Sequence, residues 1–397
     1  MFFEILLFVL AGILVGTFTG LTPGIHINLV SLMLLSASPF LLQYFNVLSL
    51  ASFIISLSVA HTLVDFIPSI FLGVPEEGTA LSVLPGHRFV LEGMGYEAVK
   101  LSIVGAVVCF VAFLLVSPLL FVVVPIIFSY VKNYVGYILI GVSLFTIFRQ
   151  KNKKHAIMVY FIAGLLGVFV FDLNLGDPLF PLFSGLFGIS TLLISLNDKV
   201  EIPKQRTTEH VTMTKKELMP AIGSGLFSGS LVSIFPALGP AQAAVIAGLF
   251  TNNSPKNYLV LVGGINSVSM MMSLVTLYAI EKARNGSIVA VQELMNKPAL
   301  PTIILLFAVA ALSMGISVFI SLYLAKLFSK LINFINYKTV CLVIISAVSL
   351  LVLILTGFTG FLVLVISCAA GLLAPLLEVD RSISMSCIIL PIILYFI

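Results

Sequence analysis

Apolar runs long enough to cross a bilayer recur from one end of this chain to the other. Phe2–Gly20, Val99–Tyr130, Tyr134–Phe148, Pro301–Leu331 and Tyr337–Leu355 are the clearest. A spanning helix needs about 20 predominantly apolar residues. No soluble domain of ~100 residues fits between these runs. Only 9% of the 397 residues are charged, against about 25% in a soluble domain, so the bilayer must be the solvent for most of the chain. The fold expected is an all-α polytopic membrane protein with about 10–12 membrane segments.

Glu4 sits where a signal peptide would carry positive charge, and the first apolar run continues into a Gly-rich pattern without a cleavage site, so the first helix is expected to be retained. The net charge of +4 comes from basic residues in short loops and does not suggest nucleic acid. Cys109, Cys341, Cys368 and Cys387 lie singly in apolar runs, without metal-ligand or redox spacing, and read as packing residues. With no Trp, any interfacial belt must use the 11 Tyr and the Phe.

The longest polar stretch, Asn197–Glu217, divides the chain almost in half. It reads as a cytoplasmic linker (197–217) between a first transmembrane repeat (1–196) and a second (218–397). Gly12, Gly16 and Gly20, then Thr22-Pro23-Gly24, are matched by Gly225, Gly229 and Ser233, then Pro236 and Gly239-Pro240; 229 − 16 and 236 − 23 both give 213. His61, Asp65 and Glu76 are matched by Asn266, Met270 and Glu281 at an offset of 205, and Gly164 by Gly371 at 207. Loop charges suggest that the halves are inverted. Arg149, Lys151, Lys153 and Lys154 mark one loop of the first half, while in the second half Lys326, Lys330 and Lys338 mark the preceding loop and Thr356–Gly360 carries no charge. Lys and Arg in short loops mark the cytoplasmic side, so the same loop faces opposite sides in the two copies, as in inverted-topology repeats. A parallel duplication is the alternative.

Transporter sites tend to form where membrane helices break in matching places of two repeats. Proline removes a backbone donor and glycine permits left-handed geometry, so Pro23-Gly24 and Phe235–Pro240 are expected breaks. A helix restarting there offers free N–H groups that favour an anion. The glycine ladder ahead of the first break serves close helix packing. Pro68, Gly73 and Pro75-Glu76-Glu77-Gly78-Thr79 suggest a re-entrant hairpin, because non-helical backbone at depth must be buried in protein or line a cavity. The stretch Met270–Ile280 lacks those prolines, so this break is expected to be lost in the second half. Asp172–Pro178 and Glu378–Arg381 read as polar turns in an interface, with a direct transport role as the alternative.

Titratable groups at membrane depth are functional candidates. His26 follows the first break as a substrate contact or proton carrier. His61 and Asp65 are one turn apart, on one helix face. They suit proton or cation coupling, or a hydrogen bond joining two helices; Ser269 is grouped with them as an ion-coupling residue. Thr22, Asn28, Gln242, Asn266 and Ser267 complete the substrate-binding set with Pro23, Gly24, Pro236 and Gly239. Glu76 and Glu77 read as a hydrated hairpin tip. Basic residues are missing from the spans, so an anion is expected to be held by helix N-termini, amides, His26 or a co-transported cation.

Gly16-Thr-Phe-Thr-Gly20-Leu-Thr-Pro23-Gly24 resembles the first Gly/Pro motif of the large permease subunit of tripartite tricarboxylate transporters, the TctA family. The segment from Pro75 through Thr79, Pro85-Gly86 and Gly93 to Ala98 looks like that family's Pro-Gly…Asp-Gly-Tyr-Pro…Gly segment, and Phe235–Pro240 its second-half Pro-Gly-x-Gly motif, with Ala237 where the family usually has Gly. The chain looks like a compact, divergent relative. The resemblance implies a solute permease that works with a small membrane subunit and an extracytoplasmic binding protein.

The function expected is secondary active transport of a small organic anion, such as a di- or tricarboxylate. H⁺ or Na⁺ is the expected coupling ion, and alternating access would run around a midplane site. No cofactor or resident metal is expected. A carrier of a lipid-linked anion, such as a polyprenyl phosphate, is the alternative. An intramembrane enzyme lacks an obvious nucleophile beside His61 and Asp65, and a pure scaffold has no reason to lose backbone hydrogen bonds at paired breaks. Membrane lipids and a second copy of the chain, as a homodimer, complete the expected partners.

Overall fold

The computed structural model describes residues 2–22, 27–73, 83–131, 133–173, 175–176, 178–197, 203–207, 213–234, 240–247, 254–283, 285–332 and 337–397. The first half holds α1 (Phe2–Leu21), α2 (Ile27–Leu41), α3 (Val47–Val64), α4 (Phe66–Phe71), α5 (Val83–Leu91), α6 (Gly95–Val131), α7 (Val135–Arg149), α8 (Lys153–Asp172), α9 (Leu179–Phe183), a π-helical segment (Ser184–Ile189) and α10 (Ser190–Asn197). The second holds α11 (Lys215–Ile234), α12 (Pro240–Ala247), α13 (Pro255–Ile280), α14 (Gly286–Met295), α15 (Leu300–Leu331), α16 (Tyr337–Leu376), a 3-10 turn (Arg381–Met385) and α17 (Ser386–Phe396). There is no strand among the described residues.

Among the described residues eight helices are long and apolar enough to cross a membrane, and four shorter apolar helices accompany them. The protein is an all-α polytopic membrane protein. Two crossings are central: 94% of the spanning window of α13 is buried and 78% of that of α3 with α4, whereas the others lie between 22% and 44%. On those outer helices large apolar side chains such as Leu14, Phe18, Leu115, Phe319 and Tyr323 are exposed, as a lipid-facing surface requires. α3 and α4 together make one span, Val47–Phe71. The apolar residues after Asp65 thus extend a crossing helix; the expected hairpin tip, Pro75–Thr79, lies outside the described residues. In the second half α13 runs unbroken to a left-handed residue, Glu281 (φ 55°), consistent with the lack of prolines there.

Small residues decide which helices meet. A methyl group on Gly12, Gly16 or Gly20 would overlap the carbonyls of Phe53, Leu57 and His61 on α3. In the second half Gly225 and Gly229 face the carbonyls of Leu261 and Ile265, and Ser233 Oγ donates to the carbonyl of Ser269 at 2.8 Å. Both sets step by four residues, so each is one helix face laid along one carbonyl row. Packing register therefore pairs His61 with Ser269, three residues beyond the Asn266 suggested by sequence offsets: the connection from α1 to α3 has 25 residues and that from α11 to α13 has 20, which takes the offset from 213 to 208 and no further.

The two central helices are then joined across the halves. Ser313 Oγ of α15 donates to Ser56 Oγ of α3 at 2.9 Å, and Phe71 meets Phe328, so α3 and α15 run parallel. Gly105 of α6 packs on the Val260 carbonyl of α13 and Gly263 on that of Ser102. Phe121 sits edge-on to Tyr278, their ring centroids 5.4 Å apart, so α6 and α13 are parallel too. The far end of α4 and the start of α13 lie at the same pole: Phe71 packs on Gly95, Gln205 of the linker accepts from Gly95 N–H, and Lys256 pairs with Glu97. α3 and α13 therefore run in opposite directions.

The described helices form two bodies. The first takes α1–α6 and α11–α15; the second takes α7–α10, the π-helical segment, α16, the 3-10 turn and α17. Each body draws on both halves of the sequence. In the second, Gly167 of α8 packs on the Cys387 carbonyl of α17, and Gly371 of α16 on that of Leu186 in the π-helical segment. α16 itself joins two helical segments at Gly357, whose φ of 68° suits a residue without a side chain. Among the described residues the main contact between the bodies is α12 against the 3-10 turn.

Candidate functional site

At the end of the α1 ladder the paired helices carry a buried polar cluster. Thr19 Oγ1 and His61 Nδ1 lie 2.9 Å apart, with Thr19 2% and His61 3% exposed. One turn further along α3 comes Asp65, whose Oδ1 accepts from Ser69 Oγ at 3.1 Å. Asp65 is also buried, at the junction of α3 with α4. The cluster hence couples α1, α3 and α4 through side chains able to exchange a proton or accept a cation. Sequence spacing had put His61 and Asp65 on one face; the tie to Thr19 comes from the α1–α3 packing.

The matching place on α13 is neutral. Ser269 Oγ donates to the Asn266 carbonyl at 3.0 Å, while the Ser269 carbonyl accepts from Ser233. Asn266 Oδ1 and Ser267 Oγ are buried with no hydrogen-bond partner among the described residues. An unpaired buried acceptor or hydroxyl costs about 1–3 kcal/mol, so polar groups of this kind point to a ligand or water. Thr22 ends α1, its hydroxyl returned to the Phe18 carbonyl at 2.8 Å. Asn28 lies in the first turn of α2 and Gln242 in that of α12. Pro23, Gly24, His26, Pro236, Gly239 and the hairpin residues Pro75, Glu76, Glu77, Gly78 and Thr79 lie outside the described residues.

Two other places gather buried polar groups, the first of them missed by the sequence reading. Glu97, buried in the first turn of α6, lies 3.5 Å from Lys256 and 3.6 Å from Arg206. Gln205 beside it accepts from Gly95 N–H and donates to the Val90 carbonyl. The polar linker is thus anchored at the pole where α4 ends and α13 begins. The second place is Arg381. Expected in a polar interface turn, with a direct transport role as the alternative, it is drawn into the second body, where Nη1 donates to Ser190 Oγ at 3.2 Å and to Thr191 Oγ1. A single arginine within an apolar tail was the available signal. A surface cleft of about 590 Å³ between the ends of α13 and α14 contains the Glu281–Lys297 ion pair, 2.7 Å long, and lies at the opposite pole from the linker.

Crossing helices around buried polar groups define a multi-pass membrane protein. The chain belongs to the tripartite tricarboxylate transporter TctA family, whose model matches residues 6–386. That family is one of transporters and not of enzymes, and membership makes the chain a membrane component of a tricarboxylate transport system. The chain is also 32% identical over 403 residues to an uncharacterized protein of Methanocaldococcus jannaschii, covering 98% of each. No solved structure matches it.

Proposed function

We propose that this chain is the transporting subunit of a secondary system for a small organic anion, such as a di- or tricarboxylate, and that H⁺ or Na⁺ drives it. The observation that carries the reading is the pairing of two matched helix couples, α1–α3 and α11–α13, with polar groups at corresponding ends. One end is titratable (Thr19, His61, Asp65) and the other neutral with orphaned groups (Asn266, Ser267). A division between ion coupling in the first half and substrate contact in the second follows from that asymmetry. The opposed directions of α3 and α13 support two inverted repeats, 1–196 and 218–397, around a midplane site. Such repeats work by rocking one body against the other about a fixed site. A small membrane subunit and an extracytoplasmic binding protein are the partners proposed, in keeping with the tripartite description of the family.

Flux of labelled citrate and succinate into proteoliposomes tests this. Uptake that follows an imposed H⁺ or Na⁺ gradient, and is lost in Asp65→Asn while the variant stays folded, is the expected result. Gradient-independent citrate uptake by the wild type would remove the coupling role of His61 and Asp65. Absence of carboxylate flux, with or without a binding protein, would remove the substrate class.

A further inference from the structure

We infer that Arg381 binds a carboxylate group of the transported anion at the boundary between the two bodies, a placement that rests on the organic-anion reading above. Its guanidinium is partly buried and touches only neutral acceptors: Ser190 Oγ, Thr191 Oγ1 and, at 3.5 Å, the Phe187 carbonyl. All three meet Nη1. A guanidinium carries five N–H donors in a planar fork, and no described residue accepts from Nε or Nη2. That free edge has the two parallel donors that match a carboxylate bidentately.

The charge is also uncompensated. At the linker pole the exposed Arg206 and the partly buried Lys256 share Glu97. Arg381 has no carboxylate within ion-pair distance among the described residues. Its neighbour Asp380 is committed elsewhere: Gln150 Nε2 donates to Asp380 Oδ2 at 2.8 Å, and Asp380 N–H donates back to Gln150 Oε1. A cation drawn out of water without an anion is costly, so the site is poised for a negative ligand.

Position adds the third argument. Arg381 opens the turn that contacts α12, the principal link between the bodies. α12 starts at Pro240, directly after the second Pro/Gly segment, and its first turn contributes further N–H groups of positive sign. The partners of Arg381 stand at the end of a π-helical segment, a geometry that frequently marks functional sites. A carboxylate held here bridges the elements that must move relative to one another. Ser190 and Thr191 act as positioning residues that orient the fork.

The test uses the purified full-length chain in detergent, with citrate and succinate as probes and thermal stabilisation as the readout. Wild type is expected to be stabilised by both. Arg381→Gln is expected to weaken the apparent affinity by at least about tenfold without lowering the ligand-free melting temperature by a comparable margin. Arg381→Lys, which keeps the charge and loses the fork, should fall between them. Equal stabilisation of wild type and Arg381→Gln overturns the role of Arg381 and leaves the transport reading standing. If Arg381→Gln fails to fold, Arg381→Lys decides: wild-type affinity in that variant overturns bidentate binding. Failure of wild type to respond to either probe, with no carboxylate flux, overturns the organic-anion reading and this site with it.

Discussion

His87 illustrates how burial sets a residue's chemistry away from the membrane core. Its Nδ1 lies 3.2 Å from the Ile70 carbonyl, under the α4–α5 contact. Burial holds the imidazole below its ordinary 6.5, and the bond to Ile70 opposes that only in part. A base with a depressed folded-state pKa stays neutral in the fold. As pH falls through 6.5 the unfolded chain takes up a proton that the folded chain refuses, so stability is complete above that value and declines below it. The melting temperature in detergent should drop between about pH 7.5 and about pH 5.5, and His87→Gln should flatten that part of the slope. An unchanged slope in the variant would assign the effect to other groups. The residues of the candidate site were unevenly legible at this scale. Helical spacing alone put His61 and Asp65 on one face, whereas nothing in the sequence announced Thr19 as the partner of His61 or turned Arg381 inward.

Helix pairs are decided by missing side chains. Lipid tails are as apolar as leucine, so helices in a bilayer associate through close packing and polar contacts rather than burial of apolar area. Gly105 and Gly263 bring α6 and α13 to backbone contact, and the most buried crossing of the protein depends on it. Gly105→Val should cost about 1–3 kcal/mol or more, because the opposing group is a carbonyl that cannot move aside. Gly141, with open space where a Cβ would stand, should accept alanine without measurable loss. Thermal unfolding of the two variants checks the contrast; equal behaviour would mean that the contact is looser than the backbone geometry implies. The glycine ladder of α1 could be read as a packing face from its four-residue step. Its partner could not, since no sequence rule says which carbonyl row it meets.

At the scale of the molecule, sidedness is the quantity to measure. α3 and α15 run toward the linker pole and α13 runs away from it, so Lys204 and Lys330 share one pole and Lys297 lies at the other. The proposed orientation puts the linker pole on the cytoplasmic side, where the rule for Lys and Arg in short loops would place it. The four native cysteines are buried, which keeps background labelling low. Single cysteines at positions 204 and 330 should react with an impermeant maleimide only in inside-out vesicles, and one at 297 only in right-side-out vesicles. Labelling of 204 and 297 from the same side would remove the opposed directions of α3 and α13, and inverted repeats with them.

The sequence by itself determined the solvent, the helical class and the duplication of the small-residue motif, because each is a local property: run length, charge density, a four-residue step. It also carried the family resemblance in its Gly/Pro motifs. Only the tertiary structure decided that each packed body mixes both halves. It also shifted the helix register by three residues and brought the turn bearing Arg381 against α12. Those depend on which distant backbones approach one another. In a bilayer that choice rests on shape, and shape is a property of the assembled helices rather than of any single one.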